Sequence, residues 1–233
     1  MAKARGLFKS SSKMAAALKP ADELSIALAG TRGTKTLAGV RTTRSHEHWR
    51  SDLNRLSLVW FMTECAFVGS GPPQLNSHIY QLTANLLRSK PEGEETYSTA
   101  AVFAIRLLTL HGLMADLDRS LVDQSVLEPG QPAFLLPSGE GLIDLANYNR
   151  QYARGRAGLL KLSAVRLARW KLLQRRPLID YAAARADLID VAILCTLLTQ
   201  HLGNLGNHPV GTMKFLKKQW KLPSIAQLIR GDG

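Results

Sequence analysis

Thirty residues, Tyr148–Pro177 (YNRQYARGRAGLLKLSAVRLARWKLLQRRP), hold nine Lys and Arg side chains and no Asp or Glu. The chemistry open to such a stretch is neutralisation of a polyanion. Guanidinium forks grip phosphate oxygens bidentately, and tyrosine rings stack on bases. The candidate contacts are Arg150, Arg154, Arg156, Lys161, Arg169, Lys171, Arg175 and Arg176, with Tyr148 and Tyr152 interleaved among the first of them. On a helix turning about 100° per residue, Leu160, Leu162, Leu167, Trp170 and Leu173 share one side of Leu159–Arg176. Lys161, Arg169, Lys171, Arg175 and Arg176 share the other, while Val165, Arg166 and Leu172 fall off the pattern. Gly155 and Gly158 let the backbone turn or approach a ligand.

Like charges one helical turn apart repel, so an all-positive face calls for an anion. Nucleic-acid phosphates are the expected one. The acidic middle of the same chain is a second source of compensation. An anionic membrane is a third, opposed by the need to bury the apolar side in a helical pair.

The theme returns near the C-terminus, where Lys214, Lys217, Lys218 and Lys221 alternate with Phe215 and Trp220 in a helix expected over Thr212–Leu222. Pro223 stops that helix. Beyond it Ile225, Leu228 and Ile229 stand at i, i+3 and i+4, an apolar face on a tail too short to be helical alone in water. Such a tail docks either on its own core or on a neighbouring subunit, so these three residues are the candidate oligomerisation contacts.

Other chemistries find no matching residue set. His46 and His48 flank Glu47 ahead of Trp49, which reads as a helix start rather than a zinc site, because no Cys pair or HExxH accompanies them. GTRGTKT, Gly30–Thr36, has the glycine, lysine and threonine of a phosphate loop but neither its spacing nor an adjacent Gly-Lys. The segment before it, DELSIALAG, reads as a short helix. Asp187 and Asp190, beside Arg185, read as ordinary helix charges rather than a general acid–base pair. No catalytic residue, metal or cofactor is expected.

The charge is unevenly distributed. The chain of 233 residues carries a net +12. Met1–His46 has nine basic residues against two acidic, Glu47–Asn147 six against twelve, and Tyr148–Gly233 fifteen against four. A protein whose two ends meet a polyanion needs that split, and a uniformly solubilised one does not. Cys65 and Cys195 each sit in an apolar run and read as buried thiols in a reducing compartment. The longest apolar run, Val191–Leu198, falls well short of the ~20 residues that span a bilayer, so no membrane span is expected. The Lys-, Ser- and Ala-rich start, with no acid before Asp22, fits a flexible basic arm or a mitochondrial transit peptide.

Three- to four-residue apolar spacing dominates, which predicts an all-α fold. Helices are expected over His48–Val68 with Ser45 as cap, Gln74–Lys90, Thr96–Gln124 with a bend at Gly112, Leu142–Gln151, Leu159–Gln174 and Ile179–Leu202. The organisation expected is a basic N-terminal arm (1–45), a helical lobe (46–127), a Pro/Gly-rich inter-lobe loop (128–141), a basic helical lobe (142–222) and a C-terminal arm (223–233). Two helical lobes with basic surfaces and flexible arms suit a self-assembling protein that clamps single-stranded RNA by its phosphates without reading sequence. A viral nucleocapsid or filament coat, found in the host cytoplasm and the virion, is built this way. A non-polymerising helical nucleic-acid-binding factor of plasmid or organelle, the latter in the mitochondrial matrix, is the alternative.

Overall fold

The computed structural model of the chain describes residues 2–3, 18–30, 35–152, 158–206 and 210–230. The fold is mixed rather than all-α. Among the described residues there are eight α-helices and two small sheets, with 55% helix and 15% strand.

The first sheet occupies Glu23–Ala29 and Lys35–Arg44, where a flexible arm and a short helix were expected. Strands β2 (Glu23–Ala29) and β3 (Lys35–Arg44) pair antiparallel, Ile26 opposite Val40 and Ala27 opposite Gly39. A two-residue strand, β1 (Ala2–Lys3), lies parallel to the start of β3. Leu24, Ile26 and Leu28 alternate with small residues, a period of two that fits a strand and not the short helix expected. Threonines and Val40 supply the β-branched side chains of β3.

The hairpin is pinned at its base. The Asp22 carboxylate accepts from Ser45 Oγ at 3.0 Å, the His46 amide at 3.1 Å and Arg50 Nη1 at 2.6 Å. Glu23 accepts from Arg88 at 2.9 and 2.6 Å and lies 3.0 Å from His46 Nε2. A 3-10 turn, Glu47–Arg50, follows and seats Trp49, whose Nε1 donates to the Leu87 carbonyl at 2.7 Å. Ser45 therefore caps no helix.

Helix α1 (Leu53–Val68) begins later than expected because Asp52 is its cap, accepting from the Arg55 amide at 2.9 Å. Helix α2 (Pro73–Arg88) starts on a proline whose missing N–H costs nothing there. Helix α3 (Glu95–Leu110) stops at Gly112, which has φ +68°, instead of bending and continuing. Its buried residues include Ala100–Ile105 without a break, so it is covered all round, as a core helix must be.

The Pro/Gly-rich segment holds the central strand of the second sheet. Strand β4 (Ala133–Leu135) pairs antiparallel with both β5 (Leu142–Asp144) and β6 (Leu160–Leu162). Helix α4 (Leu145–Gln151) is capped by Asp144. Helix α5 (Ala164–Arg175) is capped by Ser163, so Leu160 and Leu162 belong to a strand and not to this helix. A 3-10 segment, Leu178–Ala184, leads to α6 (Leu188–Gly206), then α7 (Thr212–Trp220) and α8 (Ile225–Arg230).

One cluster of buried side chains runs from Ala21 to Leu222 and takes in α1, α2, α3, α5, α6, α7 and the second sheet. Helices α3 and α6, from the two expected lobes, form the most extensive helix pair in it. By length and composition α6 could cross a membrane, yet in this fold Val191–Leu198 is buried throughout within the protein core.

Candidate nucleic-acid interface

Helix α5 was expected to present its cations to an outside anion. Its arginines and lysine instead have partners within the chain. Asp190, fully buried on α6, accepts from Arg166 Nε at 2.8 Å and Trp170 Nε1 at 2.8 Å, and pairs with Arg169 Nη1. Asp187 accepts from Arg169 at 2.8 Å and lies 3.3 Å from Arg166. Against the opposing effect of burial, the Asp190 amide and then the two arginines hold the Asp187 carboxyl below the usual carboxylate range. A buried carboxylate is tolerated only when paired and hydrogen-bonded in this way. Asp187 and Asp190 are therefore not ordinary surface charges, and Arg166 is off the helical pattern because it faces them.

Further along α5, Lys171 lies 3.0 Å from Asp118, and Arg175 pairs with the same carboxylate. Lys171 and Arg175 together keep Asp118 ionised below its ordinary range. Asp118 belongs to the acidic middle of the sequence, so that middle does compensate part of this face. Arg106 of α3 donates Nε to the Leu173 carbonyl at 3.1 Å and bonds the Arg176 carbonyl. A cation thus closes the C-terminal end of α5, where carbonyls lack partners. The Arg176 side chain itself is exposed, with no ion pair among the described residues.

Four more of the expected residues lie on or near the second sheet. The register sets Lys161 opposite Phe134, and the Tyr148 ring stacks on Phe134 at 3.7 Å and 5°. Tyr148 is half-buried with one ring face already stacked, and Lys161 is exposed. Arg150 is exposed on α4 and Tyr152 is half-buried at its end. Arg154 and Arg156 lie outside the described residues.

Helix α7 is different. Lys214 and Lys218 are exposed at i and i+4, Lys221 is exposed just past the helix as its left-handed cap, and Lys217 is half-buried. None of the four forms an ion pair among the described residues. The opposite side buries Met213, Leu216 and Trp220 against α1 and α6. Glu64 of α1 fixes the start of this helix. It accepts from the Gly211 amide at 3.1 Å, the Thr212 amide at 2.7 Å and the Thr212 hydroxyl. A carboxylate at a helix N-terminus also meets the positive end of the dipole, and these bonds keep Glu64 ionised below its ordinary range. No protein-family model and no curated protein matches this chain.

The tail folds as α8 and lies on β6 and α6 of its own chain, with Leu228 and Ile229 packed against the core and Ile225 half-buried. Cys65 and Cys195 are buried, and burial pushes both thiols up, which removes their nucleophilic form. Among the described residues no three His, Cys, Asp or Glu groups could hold a metal ion. His46 is bonded to Glu23 and His48 to the Ser89 carbonyl at 2.7 Å. Sequence reasoning missed Glu64 as a cap because its partners lie 147 and 148 residues away.

Proposed function

We propose that this protein binds single-stranded nucleic acid, RNA first, through phosphate contacts that do not read sequence, and coats it by self-association. The observation that supports the reading is the pair Lys214 and Lys218 on α7 with Lys221 just past its end, exposed and without acidic partners among the described residues. Arg150, Lys161 and Arg176 are exposed in the same unpaired condition and add to it. A helix that carries uncompensated charge is stabilised by phosphate, and backbone contacts of this kind give affinity without base readout. Helix α5 contributes less than its composition suggests, since four of its cations already hold carboxylates.

One observation favours the non-polymerising form of the same activity: α8 rests on its own chain, which leaves no apolar tail free to bridge subunits. The test is binding of labelled homopolymers across a salt series, with particle mass measured on the same samples. Triple replacement of Lys214, Lys218 and Lys221 by alanine is expected to flatten the log–log salt slope by about 2, at roughly 0.7 per lost phosphate contact. An unchanged slope in a folded variant would remove α7 from the interface, and a chain that binds no homopolymer at low salt would refute the reading.

A further inference from the structure

Helix α1 leaves one side uncovered, and that side is aromatic. Trp60 is 37% exposed and Phe67 80% exposed, while Trp49, Trp170 and Trp220 are all buried. Trp60, Thr63 and Phe67 stand at i, i+3 and i+7, one stripe along the helix. Phe215 of α7 closes one flank, its ring centroid 5.5 Å from that of Trp60 at 52°. Tyr80 of α2, 60% exposed, closes the other across a groove of about 280 Å³ shared with Phe67. Exposed Lys214 and Lys218 sit one residue before Phe215 and one turn after it.

We infer that this face is a base-stacking track for single-stranded nucleic acid, with Trp60, Phe67 and Phe215 as stacking platforms and Lys214 and Lys218 holding the adjacent phosphates. The inference rests on the binding activity proposed above and assigns it a second kind of contact. Charge complementarity selects the occupant. Two carboxylates near the track are engaged by other groups: Glu64 is turned into the start of α7, where backbone amides and the Thr212 hydroxyl hold it, and Glu23, 3.4 Å from the Tyr80 hydroxyl, is paired with Arg88 and bonded to His46. What remains is ring faces beside lysines, the combination that single strands recognise.

The groove also lacks the means to read base edges. The hydroxyls of Thr63, Ser70 and Thr83 donate to carbonyls of their own helices, and Asn76 is bonded through both ends of its amide to Gly71. Ring faces whose neighbouring polar groups are already bonded stack on any base, so recognition there rests on stacking more than on base edges. Seven residues separate Trp60 from Phe67, a rise of about 10 Å, which matches roughly three nucleotides at ~3.4 Å per step.

Trp60 is its own reporter, because the other three tryptophans are shielded. The full chain is titrated with oligo(rU) and oligo(rA) of equal length at several salt concentrations, following both labelled-oligomer anisotropy and tryptophan emission. Both oligomers should quench the emission. Trp60→Phe should abolish the quenching and keep affinity within a few-fold. Trp60→Ala and Phe67→Ala should each weaken binding about 5- to 150-fold with the salt slope unchanged, whereas Lys218→Ala should lower the slope. Circular dichroism confirms that each variant is folded.

If the alanine variants bind as tightly as the parent, or if they alter only particle mass or vesicle binding, the track is not a nucleic-acid site. A parent chain that binds neither oligomer overturns the proposed function and this inference with it. Binding that survives the loss of both rings overturns the inference alone.

Discussion

Replacing Asp190 by asparagine keeps the side-chain volume and removes one buried charge. In the native chain this carboxylate serves Arg166, Arg169 and the Trp170 indole together, and its second oxygen also accepts from the Asp187 amide at 3.1 Å. Asparagine turns an amide donor toward one of these donors and leaves two largely buried guanidinium groups with Asp187 alone. Removing one partner of a buried pair costs about 3–5 kcal/mol. Asp187 is 44% exposed and can still neutralise one arginine, which places the loss near the lower end, about 3 kcal/mol. For a chain of this size that lowers the melting temperature by roughly 6–12 °C.

Asp118→Asn is the control. Its pairs with Lys171 and Arg175 lie at the surface, where such contacts are worth about 0–1 kcal/mol. Salt screens exposed pairs and spares buried ones. Thermal unfolding of both variants at low and high salt should therefore show a large deficit for Asp190→Asn at either ionic strength, and a small one for Asp118→Asn that fades in salt. If Asp190→Asn melts within about 2 °C of the parent, or if salt erases its deficit, the buried-cluster reasoning is wrong.

Three further outcomes are expected. Glu64→Gln should cost about 0.5–2 kcal/mol, as the loss of a helix cap does, and should speed hydrogen exchange in the first turn of α7; unchanged protection there would mean the cap is idle. Glu23, held down to about 2 from 4.5 mainly by Arg88, contributes stability that is complete above pH 4.5 and is lost as pH falls through 2. Glu23→Gln should flatten the acid limb of the melting curve in that window, and an identical limb would show that the hairpin anchor carries no weight. Deleting Pro223–Gly233 should lower the melting temperature and leave particle mass unaltered, because Leu228 and Ile229 pack on their own core; lost assembly in a chain of native stability would place the tail on a neighbour instead.

Periodicity revealed the helices that own a clear apolar side. Helices α1, α2, α3 and α7 were legible to within a turn or so at their starts. The short strands were not, for a physical reason. Leu160-Lys161-Leu162 is too brief to separate a period of two from one side of a helix, and Ala133–Leu135 is hidden between prolines that mark loops. Leu24, Ile26 and Leu28 did carry the strand period, but alanines and leucines with strong helical propensity masked it. In the candidate interface, the cations could be identified from composition and their fates could not. A helical pattern says which side is buried; it does not say that Asp190 or Asp118 will face it. Arg166 was the available clue, a charge standing on the wrong side of its helix. The exposed aromatic side of α1 could not be singled out from sequence, which cannot tell a covered ring from an open one.

Helix α3 is the part of the fold that every neighbour needs, and the chain makes it long before its cover. When Leu110 has been synthesised, α6, its most extensive partner, has yet to be made. At ~5–20 residues per second, the ribosome finishes α6 roughly 5–20 s afterwards. Throughout that interval a helix destined to be enclosed shows an uncovered side of alanine, valine, isoleucine and leucine to the cell. Folding must also close this long separation before the core pays back the lost chain entropy, so the protein should fold late and slowly for its helix content. The length of that exposure is thus set by the order of its helices rather than by their composition.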